Sequence, residues 1–161
     1  MLDFLKKSLF INFLIITIIF SLDRISKFYV ILKSESNFSS SLFTSKFLNI
    51  NLIWNDGIAF GLLSFDEKIY YNFMTGIIIL ITLIILWFIL KSKNIEKIGF
   101  LMVFSGALGN IFDRLYYTSV PDFIDIHVGD FHWFIFNVAD IFICLGIIIL
   151  ITLEFYPEKK I

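Results

Sequence analysis

Three clusters of polar residues interrupt an otherwise apolar chain, and each cluster has the spacing of one helix face. They are Asp23 with Lys27, Asn110 with Asp113 and Arg114, and Asn137 with Asp140. Residues three or four positions apart lie side by side on a helix surface. An ionisable side chain at the centre of a membrane span costs roughly 2.5–3.5 kcal/mol, and such residues usually face the bundle interior and carry function. The clusters are therefore the first candidates for a functional site.

Aspartates are the members of this set with the most specific chemistry. The segment VPDFIDIHVGD at 120–130 supplies Asp122, Asp125 and Asp130 shortly before Asp140. Two carboxyl groups that lie close together share one proton, and the ionised group can activate a water molecule. This is the chemistry of aspartic proteases, and it needs no metal and no cofactor.

Other chemistries have weaker support in the sequence. The two histidines, His127 and His132, have no second cluster of metal ligands beside them, so a metal site is not favoured. Ser26 and Lys27 could form a nucleophile pair, but neighbours in a helix point in different directions. No glycine-rich loop of the phosphate-binding kind is present.

A purely structural interpretation stays open for two of the clusters. Asp23 with Lys27, and Asp113 with Arg114, could be simple ion pairs or anchors at the membrane interface. This interpretation fits Asp140 less well, because no cation lies on its own helix face.

The composition is that of an integral membrane protein. Of the 161 residues, 58% are hydrophobic and only 17% are charged, which is too little polar surface for a soluble globule. The net charge of −1 gives no basic field for nucleic acid, so no nucleic-acid partner is expected. Cys144 is the single cysteine and cannot form an intramolecular disulfide.

Four apolar stretches are long enough to cross about 30 Å of hydrocarbon. They cover about 9–32, 69–90, 98–115 and 134–154, within a single integral membrane domain, 1–161. The positive charges that set topology are Lys6 and Lys7, then Lys91, Lys93 and Lys97, then Lys159 and Lys160. Four spans place all of these on one side, which should be cytoplasmic. Residues 33–68 and 116–133 are then extracytoplasmic, and all three polar clusters fall in the outer leaflet.

The extracytoplasmic segments contain further patterns. Residues 34–45 are rich in serine and predict a flexible segment. FLNINLIW at 47–54 alternates, which predicts a half-buried strand with Leu48, Ile50, Leu52 and Trp54 on one face and Asn49 and Asn51 on the other. NDG at 55–57 predicts a turn, after which IAFGLL could return as a second strand. The aromatic residues of 116–133 suit a membrane interface; they are Tyr116, Tyr117, Phe131 and Trp133.

Five short motifs follow one another along the chain. They are DRISK at 23–27, NDGIAFG at 55–61, GALGNIFDRL at 106–115, PDFID at 121–125 and FNVAD at 136–140. In this order they resemble the motifs of lipoprotein signal peptidase, the bacterial signal peptidase II family. Each motif is weak alone, but all five at these places relative to the spans are specific. The chain departs from the family pattern at Arg24, Ser26, Ser105 and Pro121.

The resemblance implies a fold, an activity and a set of site residues. The fold would be an all-α membrane protein with four transmembrane helices, a small extracytoplasmic β-cradle and an interfacial helix. The activity would be an aspartic endopeptidase that removes signal peptides from diacylglyceryl-modified prolipoproteins, on the amino side of the lipidated Cys. Its partners would be these substrates and membrane lipids, without a cofactor. It would act as a monomer in the bacterial cytoplasmic (inner) membrane, with both termini cytoplasmic.

The resemblance assigns catalysis to Asp122 and Asp140. It gives supporting or substrate-binding roles to eight further residues: Asp23, Lys27, Asn55, Gly57, Gly106, Asn110, Arg114 and Asn137. Asn137 would orient Asp140, and Asn110 and Arg114 would bind backbone carbonyls of the substrate. Asp23 and Lys27 would hold the first span against the site, and Asn55 would anchor the cradle strand.

Two other function classes remain as alternatives from the residues alone. Intramembrane charged groups also mark ion pathways, so a small proton-coupled transporter is the first alternative. An assembly factor in which Gly106 and Gly109 merely pack helices is the second.

Overall fold

Four long helices account for most of the chain, and a small sheet lies at one end of them. The computed structural model describes residues 2–57 and 68–155. The helices are α1 (Leu2–Asn37), α2 (Lys68–Lys91), α3 (Asn94–Tyr117) and α4 (Val138–Phe155). The strands are β1 (Ser41–Thr44), β2 (Leu48–Asn55), β3 (Val120–Val128) and β4 (Phe131–Phe136). The predicted class, a mostly helical membrane protein with a small β-cradle, is confirmed.

Each helix contains a stretch that is long and apolar enough to cross a membrane. These stretches are Ser8–Asn37, Lys68–Lys91, Asn94–Tyr117 and Val138–Phe155. Large apolar side chains on their outer faces are exposed, for example Ile69 (75%) and Leu90 (71%) on α2. Exposure of this kind along whole helices is what a lipid-facing surface requires. The chain is therefore a multi-pass membrane protein.

The third helix is the centre of the bundle. α3 packs against α1, α2 and α4 and is the most buried of the four helices. Close packing against α4 depends on Gly106, since a Cβ atom added there would lie 2.5 Å from the carbonyl oxygen of Ala139. The small side chains of this contact let the backbones of α3 and α4 approach closely.

The sheet is antiparallel with the strand order β1-β2-β3-β4. β2 pairs with β3, with Ile53 opposite Asp122 and Asn55 opposite Val120. The end of α1 packs beneath the sheet, where Val30, Leu52 and Phe123 form a buried apolar cluster. The sheet is thus fixed to the bundle at the end where the polar residues lie.

Several element boundaries differ from the sequence prediction. The serine-rich segment is not a flexible loop, because α1 continues to Asn37 and β1 pairs with β2. α4 begins at Val138, so 134–136 belong to β4 rather than to the fourth span. Asp140 therefore lies in the first turn of α4 and not deep inside a longer helix.

The strand prediction for 47–54 was right in type, and Ile50 and Leu52 of the predicted apolar face do pack in the buried cluster. β2 has an irregular register between Ile50 and Ile53, which breaks the alternation, and Trp54 beyond it is 41% exposed. On the predicted polar face Asn49 is buried, where its amide contacts Asp125 of β3. The predicted second strand, IAFGLL, lies outside the described residues, and no helix beyond the four long ones occurs in 38–57 or 118–137.

Candidate active site

Two carboxyl groups meet where the sheet joins the start of α4. Asp122 lies in β3, is 3% exposed and is held in register opposite Ile53 of β2. Asp140 lies in the first turn of α4. Pro121 causes no break before Asp122, since β3 continues through it and Pro121 lies opposite Trp54 of β2.

Asn137 connects these two carboxyl groups. It immediately precedes α4 and is fully buried. Its amide nitrogen Nδ2 donates to Oδ1 of Asp122 over 2.6 Å. Its backbone NH donates to Oδ2 of Asp140 over 3.1 Å, and the backbone NH of Asp140 donates back to Oδ1 of Asn137 over 3.2 Å. This reciprocal pair is a capping box, so the start of α4 and the position of Asp140 are fixed together.

A second side-chain amide holds each carboxyl group from the other side. Nδ2 of Asn55, at the end of β2, donates to Oδ2 of Asp122 over 2.9 Å. Nδ2 of Asn110, on α3, donates to Oδ1 of Asp140 over 2.8 Å. Each carboxyl group therefore accepts two hydrogen bonds from the protein, which fixes its orientation.

The environment of Asp122 favours its protonated form. Burial, followed by the negative charge of Asp140, raises the pKa of Asp122 from 3.8 to about 6, although the hydrogen bonds from Asn55 and Asn137 act in the opposite direction. A carboxyl group with such a pKa carries a proton for a useful fraction of the time near neutral pH.

Four charged side chains, which we name the ion cluster, lie close to the start of α4; three are buried and Arg24 is partly buried. They are Asp23, Arg24 and Lys27 of α1 and Asp113 of α3. Nζ of Lys27 lies 3.0 Å from Asp23 and 2.6 Å from Asp113, and it also donates to Oδ1 of Asn110 over 2.9 Å. Oδ1 of Asp23 accepts the backbone NH of Ala139 over 3.0 Å. The cluster thus contacts both Asn110 and the first turn of α4.

Of the two ion pairs left open as alternatives from the sequence, Asp23 with Lys27 forms, but Asp113 with Arg114 does not. Asp113 pairs with Arg24 and Lys27 of α1. The Arg114 guanidinium instead donates to the backbone carbonyl of Gly57 and lies 5.4 Å from the centre of the Tyr71 ring. Neighbours on a helix point about 100° apart, so Asp113 and Arg114 contact different partners.

The turn after β2 is held against the site. Oδ1 of Asn55 accepts the backbone NH of Gly57 over 2.9 Å, while the carbonyl of Gly57 accepts the bond from Arg114. Asn55 therefore contacts Asp122 with its amide nitrogen and stabilises the NDG turn with its amide oxygen. The strand end and the carboxyl group are positioned by the same side chain.

The two carboxyl groups and their amide partners line one cavity of about 290 Å³. Its polar wall is formed by Asn55, Asn110, Arg114, Asp122, Asn137 and Asp140, and its apolar wall by Ile78, Ile143, Ile147 and their neighbours. A second, apolar groove of about 390 Å³ runs between the β3–β4 hairpin and α4 and also reaches Asp140. Its walls include Phe131, Trp133, Phe134 and Phe136.

The remaining aspartates of 120–130 do not join the carboxyl pair. Asp125 is buried on β3, where its carboxylate contacts Nδ1 of His132 at 2.9 Å and accepts a bond from Asn49 over 3.1 Å. Burial alone would raise the pKa of Asp125, but these two hydrogen bonds outweigh it and the pKa is lowered. Asp130 lies exposed in the β3–β4 turn.

The nucleophile pair considered from the sequence does not form. Ser26 donates to the backbone carbonyl of Asp23, while the Lys27 ammonium is engaged in the ion cluster, so the two do not form a nucleophile pair. Within residues 2–57 and 68–155, no three His, Cys, Asp or Glu side chains group as a metal site would require.

Sequence reasoning missed two contributors. Arg24 was given no role, although a guanidinium inside an apolar span is itself a signal for a buried partner. Gly109 was considered only for helix packing, yet a Cβ atom there would lie 2.6 Å from Oδ2 of Asp23. This glycine is what allows the ion cluster to lie against α3.

Comparison with known proteins gives one consistent family. The model of the family described as Signal peptidase (SPase) II matches residues 15–156. The chain is 46% identical over 155 residues to a lipoprotein signal peptidase of Pelagibacter ubique (strain HTCC1062), covering 96% of this chain and 93% of that protein. It is 37% identical over 152 residues to one of Francisella tularensis subsp. mediasiatica (strain FSC147), covering 92% and 93%.

Solved structures agree with the sequence comparison. A bacterial membrane enzyme determined by the in meso method at 2.3 Å resolution has a TM-score of 0.74 at 29% identity, covering 92% of this chain and 91% of that one. A second such structure, at 1.9 Å resolution, has a TM-score of 0.73 at 28% identity. From the family match across nearly its whole length, the chain belongs to the signal peptidase II family.

Proposed function

We propose that this chain, whose family membership makes it a protease that removes signal peptides from prolipoproteins, does so with Asp122 and Asp140 as an aspartic dyad. The observation that carries the proposal is the geometry of Asn137. One buried side chain holds two buried carboxyl groups, and both line the same cavity. An ion-pair role fits neither group, since the basic residues of the ion cluster pair with Asp23 and Asp113 instead.

The two carboxyl groups have different proposed roles. Asp140 lies at the N-terminal end of a helix, where the helix dipole favours the carboxylate, so it acts as the base. Asp122 lies buried in a strand, away from a helix N-terminus that would stabilise its carboxylate, so it holds the shared proton and acts as the acid. Because the protons of a coupled pair belong to both groups, the assignment describes the predominant state.

Hydrolysis then proceeds without a cofactor. Asp140 takes one proton from water as the water oxygen bonds to the scissile carbonyl carbon, and Asp122 gives its proton to the carbonyl oxygen. In the second step the C–N bond breaks, Asp140 gives its proton to the leaving nitrogen, and Asp122 recovers a proton from the hydroxyl group. Both carboxyl groups return to their starting states.

The apolar groove next to Asp140 is the observation that favours a lipidated substrate. We propose that the substrate is diacylglyceryl-modified and is cut on the amino side of the lipidated Cys. Each CH₂ group kept out of water contributes about 0.8 kcal/mol, so acyl chains in the bilayer or along the groove set the depth of the substrate. Holding the scissile bond at the height of the dyad is an orientation effect worth several kcal/mol.

The location of the site follows from the same proposal. The dyad lies where the sheet joins the helices, so we place it near the outer leaflet of the bacterial cytoplasmic membrane. All the polar groups of the cavity come from one chain, which is sufficient for a monomer to act. Peptide hydrolysis explains the geometry of the dyad, and this geometry gives no reason to propose an ion path. We therefore prefer the peptidase over the transporter.

The experiment is cleavage of matched precursors by the purified protein, in detergent and in liposomes. One precursor carries the diacylglyceryl group on its Cys and the other does not. We expect a product that begins with the lipidated Cys, identified by mass, and at least a tenfold slower reaction of the unlipidated precursor. Equal rates in both settings would refute lipid-dependent positioning, and no cleavage at all would refute the activity.

A further inference from the structure

Arg24 makes more polar contacts than any other side chain described above. Its guanidinium contacts Oδ2 of Asp23 at 2.5 Å through Nη2 and at 3.2 Å through Nε. It contacts both carboxylate oxygens of Asp113, at 2.5 Å and 2.8 Å, and the backbone carbonyl of Gly109 at 3.2 Å. The fork geometry of arginine suits such bidentate contacts, which lysine could not reproduce.

The charges of the ion cluster balance only when Arg24 is counted. Asp23 and Asp113 are fully buried at 0% exposure, and Lys27 is 1% exposed. Two carboxylates therefore face two cations. If a neutral residue replaced Arg24, the ammonium group of Lys27 alone would have to compensate two buried carboxylates. An uncompensated buried charge strongly destabilises a folded protein.

Two routes connect this balance to Asp140. In the first, Lys27 donates to Asn110, and Asn110 donates to Asp140. In the second, Asp23 accepts the backbone NH of Ala139, the residue before Asp140. Arg24 contacts neither the cavity nor Asp140, so any influence it has on the reaction passes through these partners.

Other titratable and charged groups lie around Asp140 on the elements packed near it. They are Asp23, Arg24 and Lys27 of α1, Tyr71 of α2, Asp113 and Arg114 of α3, Asp122 and His127 of β3 and Cys144 of α4. Arg114 is engaged with Gly57 and Tyr71 rather than with the ion cluster. Arg24 is thus the cation that shares Asp23 and Asp113 with Lys27.

We propose that Arg24 is a positioning residue of the dyad, which neutralises the Asp23–Asp113 pair and so leaves Lys27 to hold Asn110 against Asp140. The proposal rests on the dyad proposed above. It makes the charge at position 24 a determinant of the pH range in which the enzyme works, although Arg24 never touches the substrate.

The test is the pH profile of kcat/KM with a lipidated precursor. Arg24→Gln leaves one surplus negative charge beside Asp140, which makes the catalytic carboxylate harder to form. The acidic limb of the profile should therefore move to higher pH, by about half a unit to one unit. Asp113→Asn leaves a surplus positive charge and should move the same limb to lower pH.

The double variant separates charge from structural damage. Arg24→Gln combined with Asp113→Asn restores the neutrality of the ion cluster, so the acidic limb of this variant should return to the wild-type position. Structural damage would behave differently, because the losses of maximal rate in the two single variants would add in the double variant. Lys33→Gln is the matched control, because Lys33 is an exposed cation on the same helix. Its profile should match the wild type.

The outcomes are distinct. An acidic limb at the same pH in the wild type and in both single variants would overturn the role of Arg24, as would an equal shift in Lys33→Gln. If Arg24→Gln cannot be purified, the other two variants still decide the proposal. An acidic limb at lower pH in Asp113→Asn that returns to the wild-type pH in the double variant supports it, and an acidic limb that stays at lower pH in the double variant overturns it. A wild-type profile without an acidic limb would contradict the dyad itself.

Discussion

Asn137 is the residue on which the geometry of the site depends most directly. It donates to Asp122, accepts from the backbone of Asp140 and donates its own backbone NH to Asp140. The Asp inside the apolar FNVAD segment is therefore not an isolated intramembrane charge. It is the third residue of a capped helix, where backbone NH groups and the helix dipole reduce the cost of a carboxylate.

Asn55 provides a direct test of the acid role of Asp122. Its hydrogen bond lowers the pKa of Asp122, against the larger effects of burial and Asp140 that raise it to about 6. In Asn55→Ala that pKa should rise further, so Asp122 keeps its proton to higher pH. The alkaline limb of the kcat/KM profile should move to higher pH. Because the variant loses a hydrogen bond to the carboxyl group, kcat should fall about 10- to 100-fold.

Asn51→Ala is the control for that measurement. Asn51 lies on the same strand, and its side-chain oxygen has no hydrogen-bond partner within residues 2–57 and 68–155. Its pH profile should equal that of the wild type. An alkaline limb that stays in place in Asn55→Ala would show that Asp122 does not supply the proton.

The dyad needs no metal, and chelation tests this. Among the described residues no group of three metal-binding side chains occurs. Cleavage of the lipidated precursor should therefore proceed at an unchanged rate after incubation with EDTA and removal of the chelate. Inhibition that added zinc reverses would contradict a mechanism carried by Asp122 and Asp140 alone.

Much of this site could be predicted from residue spacing, but its pairings could not. Helical spacing and the lysine-based topology place Lys27, Asn110 and Asp140 in the same leaflet, and Lys27 does contact Asn110, which contacts Asp140. The partner of Asp113 could not be predicted, because the sequence shows the adjacent Arg114 and not Arg24, which lies 89 residues away in the chain. Long-range partners depend on helix rotation, which spacing within one helix does not determine.

The α1–α3 contact depends on the absence of a side chain at Gly109. A Cβ atom there would lie 2.6 Å from Oδ2 of Asp23. Gly109→Ala should destabilise the protein by roughly 1–3 kcal/mol through overpacking and should lower activity, because Asp23 also holds the start of α4. Thermal unfolding in detergent and cleavage of the lipidated precursor measure the two effects.

Gly76→Ala on α2 is the matched control for this substitution. A Cβ atom at Gly76 meets nothing within 4 Å. Because alanine also favours helix over glycine by roughly 0.5–1 kcal/mol, stability should be unchanged or higher. Equal loss in the two variants would mean that close packing at Gly109 has no special importance.

The sheet shows where local patterns were insufficient. Alternation predicts β2, but the serine-rich sequence of β1 predicts a flexible segment. β1 is ordered through its pairing with Asn49–Asn51, and its own sequence does not reveal this pairing. The same long-range pairing turns PDFID into part of β3 and buries Asp122 and Asp125. A short polar strand is stabilised by its neighbour, so its own residues carry little signal.

The helices form an apolar belt with the polar clusters at one end, and the lysines at the other end predict the orientation in the membrane. Lys91, Lys93 and Lys97 lie at or near the connection between α2 and α3, and Lys6, Lys7, Lys159 and Lys160 lie near the two ends of the chain. We expect this side, with both termini, to be cytoplasmic. A reporter fused after Ile161 should behave as cytoplasmic, and one inserted near Ser40 as external. The opposite pattern would place the dyad at the inner leaflet.

The most direct test of the account is the pair of substitutions Asp122→Asn and Asp140→Asn in the purified enzyme. Asp125→Asn is the matched control, since Asp125 is equally buried on the same strand but pairs with His132 and Asn49. The assay is cleavage of a lipidated precursor at equal amounts of membrane-inserted protein. We expect each dyad variant to lose cleavage by at least about 10³-fold, while Asp125→Asn retains most of it. Full activity in either dyad variant, or loss in Asp125→Asn alone, would contradict the assignment of Asp122 and Asp140 as the dyad.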